Sequence, residues 1–173
     1  VTSFGDYAFN GCTALANVTL PTSLTSIASG AFRHCSSLTH VTLPNSLTSI
    51  DNYAFEGCPS LIEIAIPANV TSIGTKAFQY CSFLESVTLS NSLTTIGDYA
   101  FAYCGELNDV VIPDSVTSTG TFAFAFDLQL SNFVIPDLDA AAEYTTQRSP
   151  RGSPTVQPSG QRSTQPSAQP SSS

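Results

Sequence analysis

The feature that most constrains this 173-residue chain is a repeat of 23 residues. Cysteines fall at Cys12, Cys35, Cys58, Cys81 and Cys104, one per repeat. Phe9, Phe32, Phe55, Phe78, Phe101 and Phe124 keep the same interval, each preceded by Ala, and so do Leu15, Leu38, Leu61, Leu84, Leu107 and Leu130. Two more apolar columns run from Val18 to Phe133 and from Leu20 to Ile135. One such unit cannot bury its own apolar face, whereas stacked units bury a shared one. The repeat therefore predicts a solenoid over residues 1–140, of about six coils at the ~4.8 Å spacing of neighbouring strands.

Each coil reads in pieces. Leu38-Thr39-His40-Val41-Thr42-Leu43 ends in alternating apolar residues and reads as a short strand closed by Pro44. Leu47-Thr48-Ser49-Ile50 reads as a second, shorter one. The column Asp6, Ser29, Asn52, Thr75, Asp98, Thr121 holds only residues that favour a helix N-cap. It predicts a short helical or 3₁₀ turn through Ala-Phe, ending near the Cys. Gly5, Gly74, Gly97 and Gly120, just before that column, suit a turn with positive φ.

Charge and composition divide the chain. All 13 acids lie between Asp6 and Glu143, with only Arg33 and Lys76 beside them, a net of −11. That balance argues against a nucleic-acid partner, which would call for clustered Lys and Arg. The last 26 residues hold 8 Ser and 5 Pro, three Arg and no acid. With one branched aliphatic, Val156, they have too little apolar surface to offset the entropy of ordering. Residues 141–173 are accordingly expected to form a Ser/Pro/Gln-rich disordered linker or stalk. No apolar run approaches the ~20 residues of a membrane-spanning helix. A chain that begins at Val1 and contains no Met reads as a piece of something longer, so a missing signal peptide carries no information.

The pattern Leu-x-x-Val-x-Leu-Pro-x-x-Leu-x-x-Ile-x-x-x-Ala-Phe-x-x-Cys resembles the leucine-rich repeat of the BspA type, over residues 1 to about 135. The resemblance implies a repeat solenoid with a parallel sheet on one side. It also implies an extracellular or cell-surface protein that binds other macromolecules and has no catalytic residues of its own. Departures mark the two ends. Val1 and Phe4 open the chain mid-repeat with no polar cap. Thr119, Asp127 and Asp139 place polar atoms in three successive core columns, as expected where a solenoid stops, and Asp139 with the following Ala140 to Glu143 reads as a capping turn.

Candidate sites follow from the columns. The cysteines lack the close spacing of a metal site and read as buried apolar groups, not ligands or disulfides. His34 and His40 are too few, and too far from any nucleophile column, to build an acid–base machine. No enzymatic activity, cofactor or metal is expected. The outward strand columns vary most, and among them His40, Glu63, Glu85 and Asp109 are the binding candidates. They suit a protein or glycan partner, with the acids favouring a basic one. The functional expectation is a recognition or adhesion module, or the accessory domain of an enzyme or receptor lying outside this segment. The alternative is an ice- or surface-binding solenoid using the column Thr25, Thr48, Thr71, Thr94, Thr117. Asn17 and Asn69 stand in N-x-Thr sequons that count only in a secretory context.

Overall fold

The computed structural model describes residues 1–127 and 132–134. They wind into a parallel β-solenoid. Three-residue strands β1 (Asn17–Thr19), β3 (His40–Thr42), β5 (Glu63–Ala65), β7 (Ser86–Thr88), β9 (Asp109–Val111) and β11 (Asn132–Val134) alternate along the chain with two-residue strands. The latter are β2 (Ser26–Ile27), β4 (Ser49–Ile50), β6 (Ser72–Ile73), β8 (Thr95–Ile96) and β10 (Ser118–Thr119). The short strands form one sheet, β2-β4-β6-β8-β10. The long strands form two, β1-β3 and β5-β7-β9-β11, so that face is divided between β3 and β5. Every pairing aligns residues one repeat apart, as Val18 opposite Val41 and Ile50 opposite Ile73.

Alternation decides which side chains enter the core. In β3, β5 and β7 the central residue is buried and its neighbours are exposed, as period-2 geometry requires. Val41, Ile64 and Val87 thus point inward from the long sheet, and Ile27, Ile50, Ile73 and Ile96 from the short one. Between them runs a stack of phenylalanine rings. Phe9, Phe32, Phe55, Phe78, Phe101 and Phe124 lie 5.1–5.3 Å apart, centroid to centroid, with planes within 10°. Such a ladder needs identical rings at identical positions, which explains why that column tolerates only Phe.

The expected helical turn is absent from the described residues. Overlapping β-turns take its place. Ala8 N–H donates to the Gly5 carbonyl, Asn10 to Tyr7 and Cys12 to Phe9, while Tyr7, Phe9 and Gly11 donate to carbonyls of the next coil. Alternate N–H groups therefore serve the turn and the stack in succession, which leaves none for a helical i→i−4 ladder. Two residues per coil sit at positive φ, in the columns of Tyr7 and Gly11. They occupy the third position of turns closed by Ala8 and Cys12, where a type II turn demands positive φ. The N-cap column also acts differently from expectation. Asn52 Oδ1 accepts the Thr75 N–H and Asp98 Oδ1 the Thr121 N–H, both at 2.8 Å, so each side chain caps the coil after its own.

The glycines divide likewise. Positive φ belongs to Gly11, Gly30 and Gly57, not to the expected Gly5 column. In that column, Gly74, Gly97 and Gly120 permit close stacking: a Cβ on Gly97 would lie 2.5 Å from the Thr75 backbone nitrogen. We expect Gly97→Ala to cost about 1–3 kcal/mol by overpacking against rigid backbone. Gly105, whose added Cβ would meet nothing closer than 3.8 Å, is the control. Urea unfolding of both variants checks this, and equal loss would refute it.

Asp127 does not stop the solenoid, because β11 pairs in register with β9 beyond it. Thr119 is half-buried within β10. The expected capping turn at Asp139 and the stalk at 141–173 lie outside the described residues.

Candidate functional site

The long-strand face gathers the outward columns. Register places Glu63 of β5 opposite Ser86 of β7, and Ser86 opposite Asp109 of β9. Asp109 and Glu63 therefore share one column, two coils apart. Glu85 is exposed one column over, immediately before β7, and its N–H donates to the Ile62 carbonyl. His40 is exposed on β3, its Nδ1 3.0 Å from the Thr39 hydroxyl. The division between β3 and β5 sets it apart from the three acids. At that division lies a cleft of about 260 Å³, floored by Val41, Leu43 and Ile64 and walled by Thr42, Glu63, Ala65, Ser86 and Thr88. Uniform 23-residue spacing gave no sign of this break. Nearby Ile62 and, further along, Val111 stay exposed, Val111 to 77%.

The threonine column has a structural task. Hydroxyls of Thr25, Thr48, Thr71, Thr94 and Thr117 each donate to the backbone carbonyl of the residue 23 earlier, at 2.9–3.4 Å. Their protons are spent on coil stacking, which counts against a water-ordering array. Of the two sequon asparagines, Asn17 is exposed on β1. Asn69 is exposed too, and its Nδ2 donates to the Asn45 carbonyl at 2.7 Å.

Cys35, Cys58, Cys81 and Cys104 are buried and Cys12 is exposed, with all five thiols free. Each buried thiol donates to a Phe carbonyl 26 residues earlier, from Cys35 to Phe9 through Cys104 to Phe78, at 3.1–3.3 Å. The thiols thus face the preceding coil, and Cys12, in the first described coil, is exposed. Burial pushes the Cys81 thiol up to about 12 and raises Cys35, Cys58 and Cys104 as well, so these groups stay protonated and unreactive. Among the described residues no three His, Cys, Asp or Glu side chains cluster as a metal site would require. No helix among them is long and apolar enough to cross a membrane.

Sequence reasoning missed the turn side. Tyr80, Tyr103 and Phe126 occupy a positive-φ column as an exposed ladder, with centroids 4.8 and 4.4 Å apart. In the other such column the Lys76 ammonium lies 5.9 and 5.8 Å from the Tyr53 and Tyr99 ring centres. The signal was available in glycine: Gly11 and Gly57 share a column with His34, Tyr80 and Tyr103, and Gly30 shares one with Tyr53 and Tyr99. Glycine trading places with large rings marks a left-handed backbone position whose side chain is free to project.

This geometry has relatives. The BspA type leucine rich repeat region matches the chain in six copies, over residues 2–137. The chain belongs to that family. Among solved structures, it is similar to a leucine-rich cell surface protein of Faecalibacterium prausnitzii, with 40% identity over 76% of this chain and a TM-score of 0.71. It spans 36% of that protein's chain. The T. pallidum leucine-rich repeat protein is 30% identical, covered over 75% of this chain and 72% of its own, with a TM-score of 0.62. The pneumococcal vaccine antigen PcpA is 26% identical over 76% of this chain and 33% of that one, with a TM-score of 0.61. No curated protein matches. Membership in the BspA-type family and the cell-surface relative are consistent with a binding or adhesion module.

Proposed function

We propose that this BspA-type domain is a non-catalytic recognition module at the cell surface or outside the cell, and that it binds a basic protein patch through the long-strand face. The observation that carries this reading is the cleft beside Glu63. The break in the sheet opens a cleft next to a carboxylate, and a Lys or Arg side chain can lay its methylenes against Ala65 and the edges of Val41 and Leu43 there, with its charge against the acid. Asp109 in the same column and Glu85 beside it extend the acidic character along the face. The −11 charge of the segment holding all the acids speeds encounter with a cationic partner and makes it salt-sensitive. Glycan binding at this face is the second reading; it lacks the charge argument.

The test is a triple variant, Glu63→Gln, Glu85→Gln and Asp109→Asn. Immobilised wild-type chain should capture a partner that high salt releases, and the variant should fail to hold it at low salt. Exposed charges contribute little to stability, so the melting temperature should stay nearly constant. Undiminished binding by the triple variant at low salt would defeat the acidic-face reading. Loss of binding with unchanged salt dependence would point to the apolar contacts instead.

A further inference from the structure

Beside the short-strand sheet, away from the long-strand cleft, a continuous open groove of about 630 Å³ runs along the solenoid. Gly74, Gly97 and Gly120 line it over three successive coils. Ser72, Thr95 and Ser118 of the short strands form one wall. The other is the column that alternates Asp6, Ser29, Asn52, Thr75, Asp98, an acid or amide on every second coil and a short hydroxyl between. The capping bonds use Oδ1 of Asn52 and of Asp98, and no other bond among the described residues takes the Asn52 amide nitrogen or the second Asp98 oxygen.

We propose that this groove binds an extended, uncharged β-1,4-linked polysaccharide chain. Three properties select that class. Donors and acceptors are mixed, as a row of sugar hydroxyls requires, and recur with each coil at a spacing close to the advance of one pyranose. The alternation repeats every two coils, about 10 Å, and a β-1,4 chain turns successive rings over so that its own repeat is the disaccharide. Asp6, Asp51 and Asp98 repel polyanions. A peptide strand fits poorly, because β4, β6 and β8 are each paired on both sides and offer no free backbone edge to extend.

The experiment titrates the full chain with cellohexaose and with N-acetylchitohexaose by NMR, alongside laminarihexaose as a curved β-1,3 chain and oligogalacturonate as a polyanion. Binding by either β-1,4 hexamer, with weaker or no binding of the other two, supports the proposal, and the preferred hexamer distinguishes a plain from an N-acetylated chain. Thr95→Trp fills the groove from an exposed strand position that accepts aromatic residues, and should weaken binding at least about tenfold with an unchanged melting temperature. Asp51→Ala, which removes a half-buried carboxylate whose oxygens make no bond among the described residues, should weaken it more mildly. Failure of both β-1,4 hexamers to bind would overturn the proposal, as would equal binding of all four probes or full binding by Thr95→Trp. The Glu63, Glu85 and Asp109 triple variant should bind the hexamers normally, so the two faces fail or succeed separately.

Discussion

Raising the pH from 4 to 9 should progressively destabilise the C-terminal coil, and Asp127→Asn should abolish that dependence. Asp127 stands in the cysteine column, buried, with Oδ1 accepting the Cys104 N–H at 2.8 Å and Oδ2 buried without a partner among the described residues. Burial pushes its carboxyl up to about 9, only partly opposed by the Cys104 hydrogen bond. The folded state therefore keeps a proton that the unfolded chain releases above about pH 4. A raised carboxyl pKa means stability present at low pH and lost as pH climbs between those two values, with a slope approaching about 1.4 kcal/mol per pH unit. The thiol register suggests where the proton goes. Continued by one coil, the series Cys35 to Phe9 through Cys104 to Phe78 makes the Phe101 carbonyl the acceptor in register with Asp127, although no such bond is formed among the described residues. A neutral acid can donate there as a thiol does, and a carboxylate cannot. Asparagine keeps both an acceptor and a donor, so Asp127→Asn should be the more stable protein at pH 8. Urea melts of both proteins across this range decide the matter. Identical slopes would show that Asp127 is not the titrating group.

Phe78→Ala should be the most disruptive of the core substitutions. Its ring is fully buried between Phe55 and Phe101, at 5.3 and 5.1 Å. Removing it costs about 3–5 kcal/mol in transfer and cavity terms. Because each coil contacts only its neighbours, a gap in the middle also uncouples the two ends. A single unfolding transition should therefore split or broaden. Phe9→Ala, at the half-buried first ring, should cost clearly less and leave one transition. Equal losses at the two sites would mean that the ladder is not the continuous spine described above.

How far the sequence foretold this structure depends on which link is asked about. Inward columns were legible, because burial forces the same apolar choice in every copy: Phe32, Ile50 and Leu61 sit where the period placed them, each almost wholly buried. The turn was misread for a physical reason. Asn52 and Asp98 are good capping residues, but capping chemistry alone does not say whether the amide served belongs to the same coil or the next. A solenoid offers the next coil at hydrogen-bond distance, and that tertiary neighbour wins over a local helix. The strand-face acids were located correctly as exposed columns in the cases of Glu63 and Glu85. The cleft that gives Glu63 a setting arises from imperfect stacking of β3 on β5, which equal spacing in sequence does not encode.

The central claim is that inward columns hold the coils together while the long-strand face is free to recognise a partner. Amide hydrogen exchange of the full chain, with and without the partner captured in the salt-release experiment, tests it most directly. The account predicts new protection at residues 62–65, 85–88 and 108–111, with the turn segments around Tyr80 and Tyr103 unchanged. Protection confined to those turns, with the long strands unaffected, would contradict it.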